Sequence, residues 1–176
     1  MCTAGFSSAL LFFGEPALLY ETPSHYFLCS GSSEGYTELN AFDQALLDAG
    51  IGDTNLVRMS SILPPGCQRV EPFGPPAGAL VPVAYSAMRS STPGDVISAA
   101  VAIAVADDPS LPGLIMEYHG AEPLNDAVEQ VREMARRGMQ YRERGIDEVL
   151  STGVEHEVES PGAVFAGVVL WNGDRP

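Results

Sequence analysis

No lysine occurs among the 176 residues; all nine basic residues are arginine. A pyridoxal-phosphate enzyme holds its cofactor as a Schiff base on lysine, and lysine-based carbonyl catalysis needs the same amine. Both classes are excluded. Carbanion chemistry on an amino acid would need a carbonyl from another source, and one made from the chain's own backbone meets that need. A biased genome composition accounts for the missing lysine equally well. Cysteine is scarce: Cys2, Cys29 and Cys67 are odd in number and scattered. This argues against a disulfide framework or a zinc site, and a reducing cytoplasm is the expected location. His25, His119 and His156 show no paired ligand spacing, so no metal is expected. No run of about 18 apolar residues exists, so no membrane span is expected. No arginine precedes Arg58, so Leu10-Leu-Phe-Phe13 lacks the basic flank of a signal peptide.

Positive charge is also in short supply, with 23 acidic residues and a net charge of −14. Tracking nucleic-acid phosphates takes a basic stripe, so that partner class is not expected. An acidic surface suits cationic small molecules, and it suits a merely solvated exterior as well. Neither an internal repeat nor a long linker divides the chain. An apolar content of 45% against 18% charged residues describes one globular domain with a sizeable core.

Taken in order, residues 1–24 are small and apolar, interrupted by Pro16 and Pro23, and read as an extension. A first strand is predicted over Tyr26–Ser30, followed by a flexible loop, Gly31-Ser-Ser-Glu-Gly35. Asn40 is a candidate N-cap for a helix through Ala49. Phe42, Ala45, Leu46 and Ala49 fall on one helical face, and Gly50 is the stop. A strand follows over Leu56–Leu63. Gly78–Ser90 reads as a strand that Pro82 confines to an edge or a bulge. Val96–Ala106 and Leu114–Tyr118 read as strands, and Asn125–Arg144 as a helix ended by Gly145. Its acids come early and its arginines late, complementing the helix dipole. Ala163–Trp171 is a final apolar strand. Several strands on short turns with two separated helices suggest an α+β protein with mostly antiparallel sheets.

The chain is organised around Asn55-Leu-Val-Arg-Met-Ser-Ser-Ile-Leu-Pro-Pro65. A serine pair before two prolines is an ordinary strand boundary. It is also a place where a hydroxyl beside a distorted peptide can attack the preceding carbonyl. Ser61 is the candidate nucleophile and Ser60 the residue left with the new chain end. Asn55 carries an amide able to donate to an oxyanion without titrating, or it is a plain edge residue. Glu117, between Met116 and Tyr118, is either an outward strand carboxylate or a half-buried acid held protonated by desolvation. Asp43 is either a first-turn acid on its helix or a carboxylate able to grip a planar cation in two parallel hydrogen bonds.

These segments, with Gly31-Ser-Ser-Glu-Gly35, Leu39-Asn-Ala-Phe-Asp43, Gly78-Ala-Leu-Val-Pro82 and Met116-Glu-Tyr-His-Gly120, resemble the pyruvoyl-dependent arginine decarboxylases, in the same order from Tyr26 to Trp171. The resemblance implies a four-layer αββα sandwich over residues 25–176, assembled as a trimer, alone or paired into hexamers, with active sites between neighbours. It implies self-cleavage between Ser60 and Ser61, conversion of Ser61 to a covalent pyruvoyl group, and decarboxylation of L-arginine to agmatine. Glu117 then matches the general acid and Asp43 the substrate-binding aspartate. Main-chain contacts to substrate fall near Leu39, Gly52, Thr54 and Ser60. His119 stands where a small residue is expected. A decarboxylase of another cationic amino acid and an uncleaved, non-catalytic trimeric scaffold are the alternatives.

Overall fold

A strand that is apolar without alternation has both faces covered. Two runs of this kind sit at the centre of the computed structural model, which describes residues 21–172. In chain order the elements are β1 (His25–Glu34), α1 (Glu38–Asp48), β2 (Asn55–Arg58), β3 (Ile62–Leu63), β4 (Gln68–Arg69), β5 (Leu80–Ser90), β6 (Val96–Ala106), β7 (Gly113–Gly120), α2 (Leu124–Gln140), β8 (Ile146–Glu157) and β9 (Gly162–Trp171). Along β6, Ala99, Val101 and Ile103 face a second sheet, while Ala100, Ala102 and Ala104 face α2. The small side chains let the helix lie close. Along β9, Val164, Ala166 and Val168 face the other sheet, and Ala163, Phe165 and Val169 face α1. The layers are therefore α1, a sheet ordered β2-β5-β9-β1-β4, a sheet ordered β3-β7-β6-β8, and α2. Most pairings are antiparallel; β2–β5 and β1–β4 are parallel.

The helix expected from Asn40 starts earlier. Thr37 is the N-cap and accepts a 3.2 Å bond from the Asn40 amide. Gly50 ends the segment at φ +79°, as its sequence position predicts. The expected Gly31–Gly35 loop is instead mostly strand, because β1 continues to Glu34 alongside β9. Gly31 is there for closeness: a Cβ on it would lie 2.4 Å from the Ala45 carbonyl of α1. The second helix ends at Gln140, before the expected stop at Gly145. β8 follows as an edge strand with mixed burial, which gave no apolar pattern to read. Pro82 pairs with Val57 of β2, just before the β5–β9 ladder begins at Val83, so its missing N–H interrupts no long ladder. Most of the extension expected over residues 1–24 lies outside the described residues, as does most of the tail after Trp171.

Candidate active site

The strand expected over Leu56–Leu63 is two strands in two sheets. β2 lies at the edge of the five-stranded sheet and β3 at the edge of the four-stranded one. Met59, Ser60 and Ser61 carry the chain between them. Facing sheets lie about 10 Å apart, which is about the reach of three extended residues. Both ends of the crossing are pinned. The Met59 N–H donates to the Val83 carbonyl at 3.0 Å, and the Ser61 carbonyl accepts from Ile115 N–H at 2.9 Å. The chain turns into β3 with Ser61 at φ 72°, in the left-handed region. For a residue other than glycine this conformation costs on the order of 1–3 kcal/mol.

Glu117 comes from β7, whose alternate residues Ile115, Glu117 and His119 point into the layer between the sheets. The Ser61 hydroxyl donates to Glu117 Oε1. Burial raises the Glu117 pKa above the usual carboxylate range; the Ser61 bond and the charge of Arg58 pull it partly back. Arg58 is itself held. Its Nη2 donates to the Tyr85 carbonyl at 3.1 Å, and its guanidinium lies 4.6 Å from the Tyr85 ring centroid. Two positions past Glu117, His119 Nδ1 shares a 2.8 Å hydrogen bond with Ser86 Oγ of β5. His119 is thus a strand residue with a hydrogen-bond partner.

Ser60, Ser61 and Glu117 are therefore brought together; the other predicted residues form a second group. Leu39, Asp43 and Leu47 run along one exposed stripe of α1, four residues apart. Gly52 packs against Leu47, whose Cδ2 would lie 2.5 Å from a Cβ at that position. Thr54 lines the same shallow opening as Leu47 and Gly52, and its hydroxyl donates to the Ile51 carbonyl at 2.7 Å. Among the described residues Asp43 makes no ion pair. Asn55 begins β2, at the far end from Ser60, and its side-chain amide donates to the Gly78 carbonyl at 3.0 Å. Since α1 covers the outer face of the five-stranded sheet, this group and the Ser61–Glu117 group lie on opposite sides of that sheet. Arg58, Ser86 and His119 are neighbours that sequence reasoning did not assign to the site. Arg58 lies inside the serine motif, and its position was the available signal.

The fold and this pair define an αββα protein that presses a serine hydroxyl and a carboxyl against a left-handed backbone turn. Such an arrangement can carry out attack of a side chain on its own backbone. The family model for pyruvoyl-dependent arginine decarboxylase matches residues 25–170, and the chain belongs to that family. The pyruvoyl-dependent arginine decarboxylase of Methanocaldococcus jannaschii is 49% identical over 152 residues, covering 86% of this chain and 92% of that protein. The protein of that name from Methanococcus aeolicus is 43% identical over the same shares. A solved pyruvoyl-dependent histidine decarboxylase, at pH 8, aligns over 58% of this chain and 54% of its own, with TM-score 0.45 and 18% identity.

Proposed function

We propose that the chain cuts itself between Ser60 and Ser61 and then converts L-arginine to agmatine and carbon dioxide. The observation that carries this reading is the left-handed Ser61, its hydroxyl on Glu117, immediately after Ser60. In the first step Ser61 Oγ attacks the Ser60 carbonyl carbon, the peptide C–N bond breaks, and an ester joins the two residues. Loss of the Ser61 Cα proton and of the ester oxygen frees Ser60 as a carboxylate. The dehydroalanine left at position 61 takes up water and releases ammonia, giving the pyruvoyl group. Relief of the Ser61 backbone strain favours the cut.

The pyruvoyl group fits the position, because Ser61 stands at the head of its new chain beside a carboxyl. It supplies a ketone for the substrate amine and an electron sink when carbon dioxide leaves. The remaining tasks fall to side chains. Glu117, with its raised pKa, gives a proton to the substrate carbon. Asp43 accepts two hydrogen bonds from the guanidinium, and the backbone at Leu39, Gly52, Thr54 and Ser60 lines the substrate. Asn55 lies too far from Ser60 of its own copy, but its Nδ2 keeps a second N–H beyond the one given to Gly78, available to the oxyanion of the cutting step in a neighbouring copy.

The separation of the two groups by a whole sheet supports a shared site. The Ser61–Glu117 group of one copy is completed by the Asp43 group of a neighbour, in a trimer. Mass spectrometry of purified protein tests the reading. Fragments of residues 1–60 and 61–176 are expected, the second with a blocked N-terminus. An intact chain that still decarboxylates arginine overturns it.

A further inference from the structure

Decarboxylation of an amino acid replaces a C–C bond with a C–H bond, so each turnover consumes one proton. Once Glu117 has given its proton to the substrate carbon it is a carboxylate, packed into the layer between two sheets and unable to act again until reloaded. The geometry points to His119 as the relay that reloads Glu117 from solvent. This inference rests on the decarboxylase reading above. His119 acts through Glu117 and touches no substrate atom.

Glu117 and His119 are two residues apart on one strand and share a face, so their side chains start about 7 Å apart, a gap one water bridges. Glu117 is half-buried while His119 is exposed. The pair therefore runs from the reacting carboxyl to the outside. Ser86, only 4% exposed, fixes the imidazole through Nδ1. A hydroxyl oxygen is suited to that task because it accepts from Nδ1–H whatever the charge on the ring. With Nδ1–H donating to Ser86 Oγ in both charge states, the tether survives while Nε2 gains and loses the proton. Among the described residues Nε2 has no hydrogen-bond partner. The cycle balances: Nε2–H⁺ passes its proton through water to Glu117, and the neutral ring takes another from buffer.

The surroundings leave these two groups coupled to few others. Toward this layer β6 turns Ala99 and Val101, β9 turns Val164 and Ala166, and β5 turns Ala84 and Met88 beside Ser86. The charge of Arg58, from β2, also acts on Glu117. The next ionisable pair on the inner face, His156 with Glu34, lies beyond β6, on β8 and β1.

Two measurements test the relay. In the self-cut enzyme, His119→Ala should lower kcat about tenfold or more with KM for arginine unchanged, and added imidazole should restore turnover. Ser86→Ala should cause a smaller loss that imidazole does not repair. The second measurement is buffer dependence: His119→Ala turnover should rise with the concentration of a small general acid, while wild-type turnover should not. If fragments form and wild-type turnover is present, but His119→Ala leaves kcat and its pH profile unchanged, the relay is overturned while the decarboxylase reading stands. A His119→Ala turnover that is low but indifferent to buffer concentration also overturns it. Absence of fragments in active wild-type protein removes both.

Discussion

The Ser61 hydroxyl and the Glu117 carboxyl meet although 56 positions separate them in the chain. The contact exists because β3 and β7 are ladder partners, with Ile62 opposite Leu114 and Leu63 opposite Gly113. Gly113 is part of that fit: a Cβ there would stand 2.7 Å from the Ala104 carbonyl and 3.2 Å from Leu63 Cδ2. The hydroxyl and the carboxyl are thus brought together by one sheet edge.

Replacing Glu117 by Gln keeps the shape and removes the proton. We expect kcat to fall about 10²–10⁴-fold with little change in KM. In the parent enzyme burial raises the Glu117 pKa. Its acid form is therefore complete below the ordinary carboxylate range and drains away as pH rises through the raised value. A kcat profile should show that alkaline fall, and the Gln variant should lose it.

Asp43→Asn should leave cutting after Ser60 intact, since Asp43 is assigned to the substrate guanidinium and has no part in the attack of Ser61 on Ser60. A charged hydrogen-bond partner contributes about 1.5–3 kcal/mol. The KM for arginine should therefore rise about 10- to 100-fold, with a much smaller effect on an amino acid carrying a neutral side chain of similar length. Steady-state kinetics with both substrates checks it.

Glu34 ties the two sheets at the end away from β3. It accepts from the Glu159 N–H at 3.0 Å, the Ser160 N–H at 2.7 Å and the Ser160 hydroxyl, and pairs with His156 Nε2 at 2.5 Å. Burial opposes its charge, but these bonds, Ser160 first, outweigh that and hold its pKa down to about 2. A depressed carboxylate contributes stability above its unfolded pKa and loses it as pH falls through the folded one. Glu34→Gln should lower Tm near neutrality, and the gap to wild type should close between pH 4.5 and about 2. Calorimetry across that window measures it.

Gly31→Ala should destabilise the fold by roughly 1–3 kcal/mol, because a methyl there has to push α1 off the sheet. The same push moves the Leu39–Asp43–Leu47 stripe, so the KM for arginine should rise with the loss of Tm. An unchanged melting curve would show that α1 yields freely.

Much of this was legible in the chain. The unbroken apolar runs of β6 and β9 read as strands, and the Gly50 stop marked the end of α1. Ser61, Glu117 and Asp43 entered through the resemblance to the family, since residue type alone left each open between a structural and a chemical part. What was not legible depended on pairing across the chain. β8 is an edge strand whose mixed side chains carry no period. The break between β2 and β3 follows from which sheet each edge joins, and no local residue preference encodes that. Gly31 looked like a hinge, since a short-range reading sees freedom where the fold needs thinness. His119 could not be weighed before β5 was known to bring Ser86 across.

The ten-pair ladder between β1 and β9 has a consequence for the molecule after processing. A break after Ser60 assigns β1, α1 and β2 to one piece and every remaining described strand to the other. Yet β1 stays clasped between β9 and β4, and β2 stays on β5. The proposed cut would thus change the order of the unfolding reaction while leaving the packed layers in place. One melting chain would become two polypeptides that must find each other again. The midpoint of heat denaturation should then climb with protein concentration even for a lone protomer.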